Sequence, residues 1–276
     1  MTAARDINAV RRLIIHCGVQ KTASTSLHHF VRRNQSLLSP HLDVLPPVKG
    51  SPVQLMGRAA MLFSLDPSPE KQSHLIDQIT ALRDQLPDDT TPVLISHENL
   101  PGAMIGKRGV VTLYPHLEQI IALLDTHFAP LVPEYVFYTR EMADWKSSVY
   151  NQAVKSDHYP HSRDVFEAET NNCGTWHELE RRMQAQVGDD RVRFLRIEDE
   201  TDQSKPGLQL LLHAGLDAKV LDALHPVERH RNPSLNTGSL EFLRLVNTQG
   251  LEQGARRKIV DLVRGNQSLF VQGATP

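Results

Sequence analysis

At 276 residues the chain has the size of one large α/β domain, 1–276, with no need for a second core. Hydrophobic residues make up 40% and charged residues 22%, the balance of a globular protein rather than a disordered one. A net charge of −2 provides no global basic field for nucleic acid or an anionic membrane, and two cysteines, Cys17 and Cys173, are too few for a disulfide scaffold. The first ten residues lack the apolar core of a signal peptide, and no apolar run approaches a membrane span, so the expectation is a cytoplasmic protein.

The apolar run Leu13-Ile14-Ile15-His16-Cys17 predicts a buried strand over 12–17. It stops at Gly18, and Lys21-Thr22-Ala23-Ser24-Thr25-Ser26 leads into a helix over 24–35 with Leu27, Phe30 and Val31 inward. Strand, tight loop and helix start gather open backbone N–H groups and the positive end of a helix dipole, with Lys21 adding a full charge. This is a cradle for an oxyanion. The nucleoside triphosphate loop needs a Gly before its Lys, and Gln20 stands there instead.

Four prolines and a Gly in 39–52 read as an irregular connection, and 53–65 can be helical. Ser68-Pro69-Glu70 is a helix start, followed by apolar residues at helical spacing from Leu75 to Leu86. Residues 92–96 form a short buried strand, 101–109 a loop and 114–128 an amphipathic helix. A third strand over 134–139 ends at Arg140, a helix follows over 142–155, and the polar stretch 156–172 suits a mobile surface loop. A helix over 175–186 and a fourth strand over 191–197 precede a mostly helical tail, interrupted over 226–238. Strands alternating with helices predict a parallel sheet covered on both faces, with ligands beyond the carboxyl ends of the strands.

Those ends carry the candidate chemistry. After the first strand lies the Lys21 loop; after the second, Ser96-His97-Glu98-Asn99; after the third, Arg140 with Ser148 eight residues on. A guanidinium can hold phosphate oxygens bidentately, and a hydroxyl on the next helix can reach the same group. A carboxylate or imidazole at a strand end can take a hydroxyl proton. The 14 histidines show no metal-ligand spacing and read as solvated or capping, His28 and His29 included. Trp145 and Trp176 read as helix anchors.

The strand, Gly-x-x-Lys-Thr-Ala-Ser-Thr-Ser, helix order resembles the 5′-phosphosulfate loop of sulfotransferases that use 3′-phosphoadenosine-5′-phosphosulfate (PAPS). The segment Arg140-x-x-x-Asp144-Trp145-x-x-Ser148-x-Tyr150-Asn151-Gln152 resembles the 3′-phosphate site of a bacterial, carbohydrate-type branch of that family. The resemblance implies a single P-loop-like α/β domain with a central parallel sheet and a largely helical C-terminal part. It implies that Lys21, Thr22, Ala23, Ser24, Thr25, Ser26, Arg140 and Ser148 bind the donor, with Arg231 a further candidate. It implies Glu98 or His97 as general base, Lys21 on the leaving oxygen, adenosine 3′,5′-bisphosphate as product and no required metal.

Three departures stand out. Ala23 replaces a common Gly, so the turn is expected to avoid positive φ there. Ile197 replaces a Tyr of the family's fourth-strand segment, and the late Arg-Lys-Gly is absent. The expected acceptor group is a hydroxyl (or an amine), on a carbohydrate or other polar small molecule before a flat phenol, walled by 39–52, 101–109 and 156–172. A small-molecule kinase and a non-catalytic nucleotide- or glycan-binding relative stay open as alternatives.

Overall fold

The computed structural model describes residues 11–227 and 235–271. In chain order its elements are β1 (Leu13–His16), α1 (Ser24–Arg33), α2 (Gln35–Leu38), β2 (Asp43–Leu45), α3 (Pro52–Leu65) and α4 (Pro69–Arg83). Then come β3 (Val93–Ser96), α5 (Leu117–Phe128), β4 (Pro133–Thr139), α6 (Met142–Ser156), α7 (Arg163–Glu169), α8 (Trp176–Val187) and β5 (Val192–Arg196). The remainder is α9 (Leu208–His213), α10 (Ala218–Ala223), α11 (Thr237–Asn247) and α12 (Gln253–Gly265).

Contacts divide the chain into two compact units. The first comprises Met1–Ala103, Tyr114–Arg140 and Trp176–Arg229, and the second Met104–Leu113, Glu141–Thr175 and His230–Pro276. The first holds a five-stranded, all-parallel sheet of order β2-β3-β1-β4-β5. Every residue of β1 and β3 is buried, the signature of strands covered on both faces. On one face Ile14, Leu94, Val136 and Tyr138 pack against Leu27, Phe30, Val31 and Leu38, joined by Leu210 and Leu211 of α9.

The order of the strands explains where the helices go. The step from β1 to β2 runs one way across the sheet, and every later step runs the other way. Parallel crossovers are right-handed, so the helix leaving β1 covers the face opposite α3, α4, α5 and α8. The winding direction therefore reverses at β1. In open sheets the ligand crevice lies there, beyond the carboxyl ends.

Two stretches differ from the sequence reading. The 39–52 connection contains β2, a three-residue edge strand pairing with β3. Its register is held from outside: the buried Arg11 places its Nη2 2.6 Å from Asp43 and its Nε 2.6 Å from the Thr91 carbonyl, and it also donates to the Pro87 carbonyl. The 156–172 stretch is not an open loop, because it contains α7. Ser162 caps that helix, and Phe166 is 1% exposed, its ring 5.5 Å from those of Tyr150 and Tyr159. A single inward aromatic supplies the burial, which is why the composition reads as loop.

In the second unit α6 packs against α7 and α11, and Arg256 of α12 ties the end of α6 down through the Val154 and Lys155 carbonyls. No helix among the described residues is long and apolar enough to cross a membrane.

Arg11→Met keeps the aliphatic stem but strips three hydrogen-bond acceptors of their partner. The expected loss is about 2–4 kcal/mol in urea unfolding, with the part-exposed Asp43 keeping it below that of a fully buried pair.

Candidate functional site

The site begins where β1 ends. The Cys17 N–H still donates to the Val136 carbonyl at 2.9 Å, and the chain then turns out of the sheet. A Cβ on Gly18 would stand 3.0 Å from the His16 ring, so the close approach of backbone to ring calls for glycine. Gln20, in place of the Gly of nucleotide loops, is buried and hydrogen-bonded at both ends of its amide. Its amide nitrogen donates to the Gly102 carbonyl at 2.8 Å and to Asn99 Oδ1 at 3.2 Å, and its oxygen accepts from the Tyr114 hydroxyl at 2.6 Å. Gln20 is a clamp between the loop and the chain that follows β3. The Thr22 hydroxyl donates to the Val19 carbonyl inside the turn and stabilises it from within.

Lys21 and Ala23 both adopt the left-handed conformation, with φ of 71° and 63°. The expectation that Ala23 avoids positive φ is therefore corrected. The loop keeps the glycine-type turn without the glycine, at about 1–2 kcal/mol for each such residue. Ala23 is the N-cap of α1 and offers no side-chain bond, whereas Ser51, Ser68, Ser162, Asp217 and Asn236 cap α3, α4, α7, α10 and α11. The first-turn N–H groups of α1 are thus left without a side-chain cap, next in the chain to Lys21 and to the hydroxyls of Ser24, Thr25 and Ser26.

Under the loop lies a buried polar network. Ser96 Oγ sits 2.8 Å from His16 Nδ1 and 2.9 Å from His28 Nε2. Burial pushes both imidazoles down to about 3, so both are neutral at physiological pH. His28 is therefore neither solvated nor a cap, and that part of the sequence reading is corrected. His16 Nε2 is buried with no hydrogen-bond partner.

Beyond β3, His97 is 4% exposed and its ring lies against Gly57 of α3, where a Cβ would overlap it. Its Nδ1 accepts the Asn99 N–H at 3.0 Å. Burial lowers the His97 pKa against the opposing pull of Glu98. The 3.7 Å approach of Nδ1 to Glu98 Oε2 is thus a contact with a neutral ring whose lone pair is already used. Glu98 Oε2 is buried and unpartnered, while its side chain as a whole is 30% exposed. The carboxyl borders a cleft of about 460 Å³ lined also by Thr25, His28, Arg32, Pro47 and Arg58.

Arg140 follows β4 directly, half-buried, and its carbonyl accepts from Trp176 Nε1 at 2.6 Å. β4 pairs with β1 at His16↔Val136, so Arg140 stands four residues, about 13 Å of strand, beyond that level on the same edge as the loop. Lys21, Thr22, Ala23, Ser24, Thr25, Ser26, His97, Glu98 and Arg140 all belong to the first unit, at the carboxyl edge of its sheet. Ser148 lies on α6 in the second unit. Arg231 lies outside the described residues. Of the three segments expected to wall an acceptor cleft, the first contributes Pro47; 104–109 and 156–172 belong to the second unit.

Sequence reasoning missed Gln20, the His16–Ser96–His28 network, and Arg32 with Arg58. Only Gln20 left a signal, as a polar residue inside an otherwise recognisable loop. No protein-family model matches the chain, and no curated protein matches it.

Two measurements check this geometry. Ala23→Gly relieves a left-handed alanine and is expected to stabilise the protein by about 1 kcal/mol in chemical denaturation. The second concerns pH. A ring whose folded pKa is depressed favours folding when neutral, so stability is fully present above pH 6.5 and falls as pH drops toward 3. His28→Asn is expected to flatten that fall by up to about 1.4 kcal/mol per pH unit.

Proposed function

We propose that this chain is a PAPS-dependent sulfotransferase, of P-loop-like α/β fold, acting on a hydroxylated acceptor such as a saccharide. The observation that carries the reading is the shared edge. An uncapped helix start with a lysine and three hydroxyl residues lies beyond β1, and a guanidinium lies beyond the adjacent strand β4. Two separated cationic positions along one sheet edge suit a ligand with an anion at each end.

The residues present fit such a ligand. The α1 N–H groups, Lys21, Ser24, Thr25 and Ser26 would hold the 5′-phosphosulfate, and Arg140 the 3′-phosphate. Thr22 contributes by shape, its hydroxyl proton being used within the loop. The donor would supply the sulfuryl group. Glu98 accepts the acceptor's hydroxyl proton, because an alcohol is a weak nucleophile while protonated. His97 fits that role poorly, with Nδ1 accepting the Asn99 N–H and the ring packed on Gly57. Lys21 stabilises negative charge building on the leaving oxygen. The neutral His16–Ser96–His28 layer keeps the loop in place and adds no charge beneath it.

Calorimetry with adenosine 3′,5′-bisphosphate tests the donor site. It is expected to bind, with ATP and Mg²⁺ binding far more weakly, and Arg140→Ala is expected to weaken it tenfold or more. Lys21→Ala is expected to abolish transfer to sugar acceptors. Glu98→Gln should lower kcat by about 10²–10⁴ with nucleotide affinity kept. Preferential binding of ATP and Mg²⁺ would replace this reading with a kinase, and wild-type turnover by Lys21→Ala would remove the role given to that lysine.

A further inference from the structure

The cleft beside Glu98 carries more positive charge than proton transfer needs. Arg32 of α1 and Arg58 of α3 both line it, and both are exposed. Among the described residues Arg58 has no hydrogen-bond or ion-pair partner. Arg32 donates its Nε to the His28 carbonyl at 3.0 Å, one turn toward the start of the helix. That bond fixes its course: the side chain runs back along α1, and the four terminal N–H groups of its fork remain for another partner.

Glu98 is the one carboxylate among the lining residues, and His28 and His97 are held neutral by burial. The wall therefore presents two fixed cations against one anion. Arg32 lies seven residues beyond Thr25, about 10 Å along the helix. Even folded back by a turn, its guanidinium stays about 5 Å short of the N–H groups that would face a donor. Arg32 borders the cleft beside Glu98 and also a second hollow that includes Asp43.

We propose that the acceptor is itself anionic: a polyol bearing an oxyanion, carboxylate or phosphate or sulfate ester, which Arg32 and Arg58 hold while one of its hydroxyls meets Glu98. The proposal rests on the sulfotransferase reading in placing the acceptor at Glu98. Planar guanidinium forks match the oxygens of all three groups, whereas a neutral sugar gives them no counter-charge. An acceptor so charged would be oriented by the pair, leaving the carboxylate to select the hydroxyl.

Equilibrium titration of the full chain with methyl β-glucuronide, glucose 6-phosphate and the neutral methyl β-glucoside tests it, in wild type, Arg32→Gln, Arg58→Gln and the double variant. Both residues are exposed, so the variants are expected to fold normally, and circular dichroism checks this. At least one anionic probe should bind tenfold or more tightly than the glucoside. That advantage should shrink in each single variant and vanish in the double, with the glucoside unaffected. It should persist in Lys21→Ala, which separates the cleft from the phosphate loop. Comparing glucuronide with glucose 6-phosphate tells a carboxylate from an ester.

No preference for either anionic probe, binding of neither, or a preference that survives in the double variant overturns the proposal. Adenosine 3′,5′-bisphosphate titrated into the same samples keeps the two readings apart. Nucleotide binding without a charge preference sinks the anionic acceptor alone. A charge preference without nucleotide binding sinks the donor assignment and leaves the cleft as an anion site.

Discussion

The structure depends on how the chain leaves its central strand. β1 is buried between β3 and β4, and the helix that follows it must cross to the opposite face from its neighbours' helices. Seven residues, 17–23, make that turn. Two of them take left-handed conformations that cost about 1–2 kcal/mol each. Gln20 and Thr22 offset that cost with hydrogen bonds to the chain that follows β3 and within the turn itself. An uncapped helix start is the result, and strain of this kind persists only where its surroundings over-determine it.

Charge is distributed by depth. Directly beneath the turn, one hydroxyl proton is shared among three groups, since Ser96 has a single O–H and touches two imidazoles. If that proton goes to one ring, the other ring must donate its own N–H to Ser96 Oγ, so the two tautomers are coupled. Burial keeps both rings neutral. The ionic groups, Lys21, Glu98, Arg140 and the two cleft arginines, stand at the edge, where solvent or a ligand offsets the cost of charge that the interior would exact.

Much of this was legible in the residues. Leu13-Ile14-Ile15 and Val93-Leu94-Ile95 read as strands because both their faces are covered, so the apolar run is unbroken. The helix start at Ser68-Pro69 and the strand, loop and helix order around Lys21 read correctly because capping and chain-breaking chemistry are local. What failed was non-local. β2 is three residues long and owes its existence to β3 and Arg11, which leaves no periodicity to detect. α7 hangs on Phe166. The conformation of Ala23 is imposed by the clamp around it, against its own preference, and no feature of an alanine announces that. A histidine on a helix looks the same whether it meets water or, like His28, a serine 68 positions away.

The choice between the two adjacent base candidates follows from the alternation of a strand. Successive side chains point to opposite faces. Ser96 faces the α1 layer, where it meets His16 and His28, and His97 faces the α3 layer, where the missing side chain of Gly57 makes room for its ring. Each is then committed to packing. Glu98, one residue further on, is beyond the last pair of the β1–β3 ladder and belongs to neither layer. It is left at the rim with an unpartnered oxygen beside a cationic cleft. Moving this register one residue inward would put the carboxylate under a helix and Asn99 at the rim, and moving it one residue outward would bring the His97 imidazole to the rim instead, so the position of the strand end decides which group is free to exchange a proton.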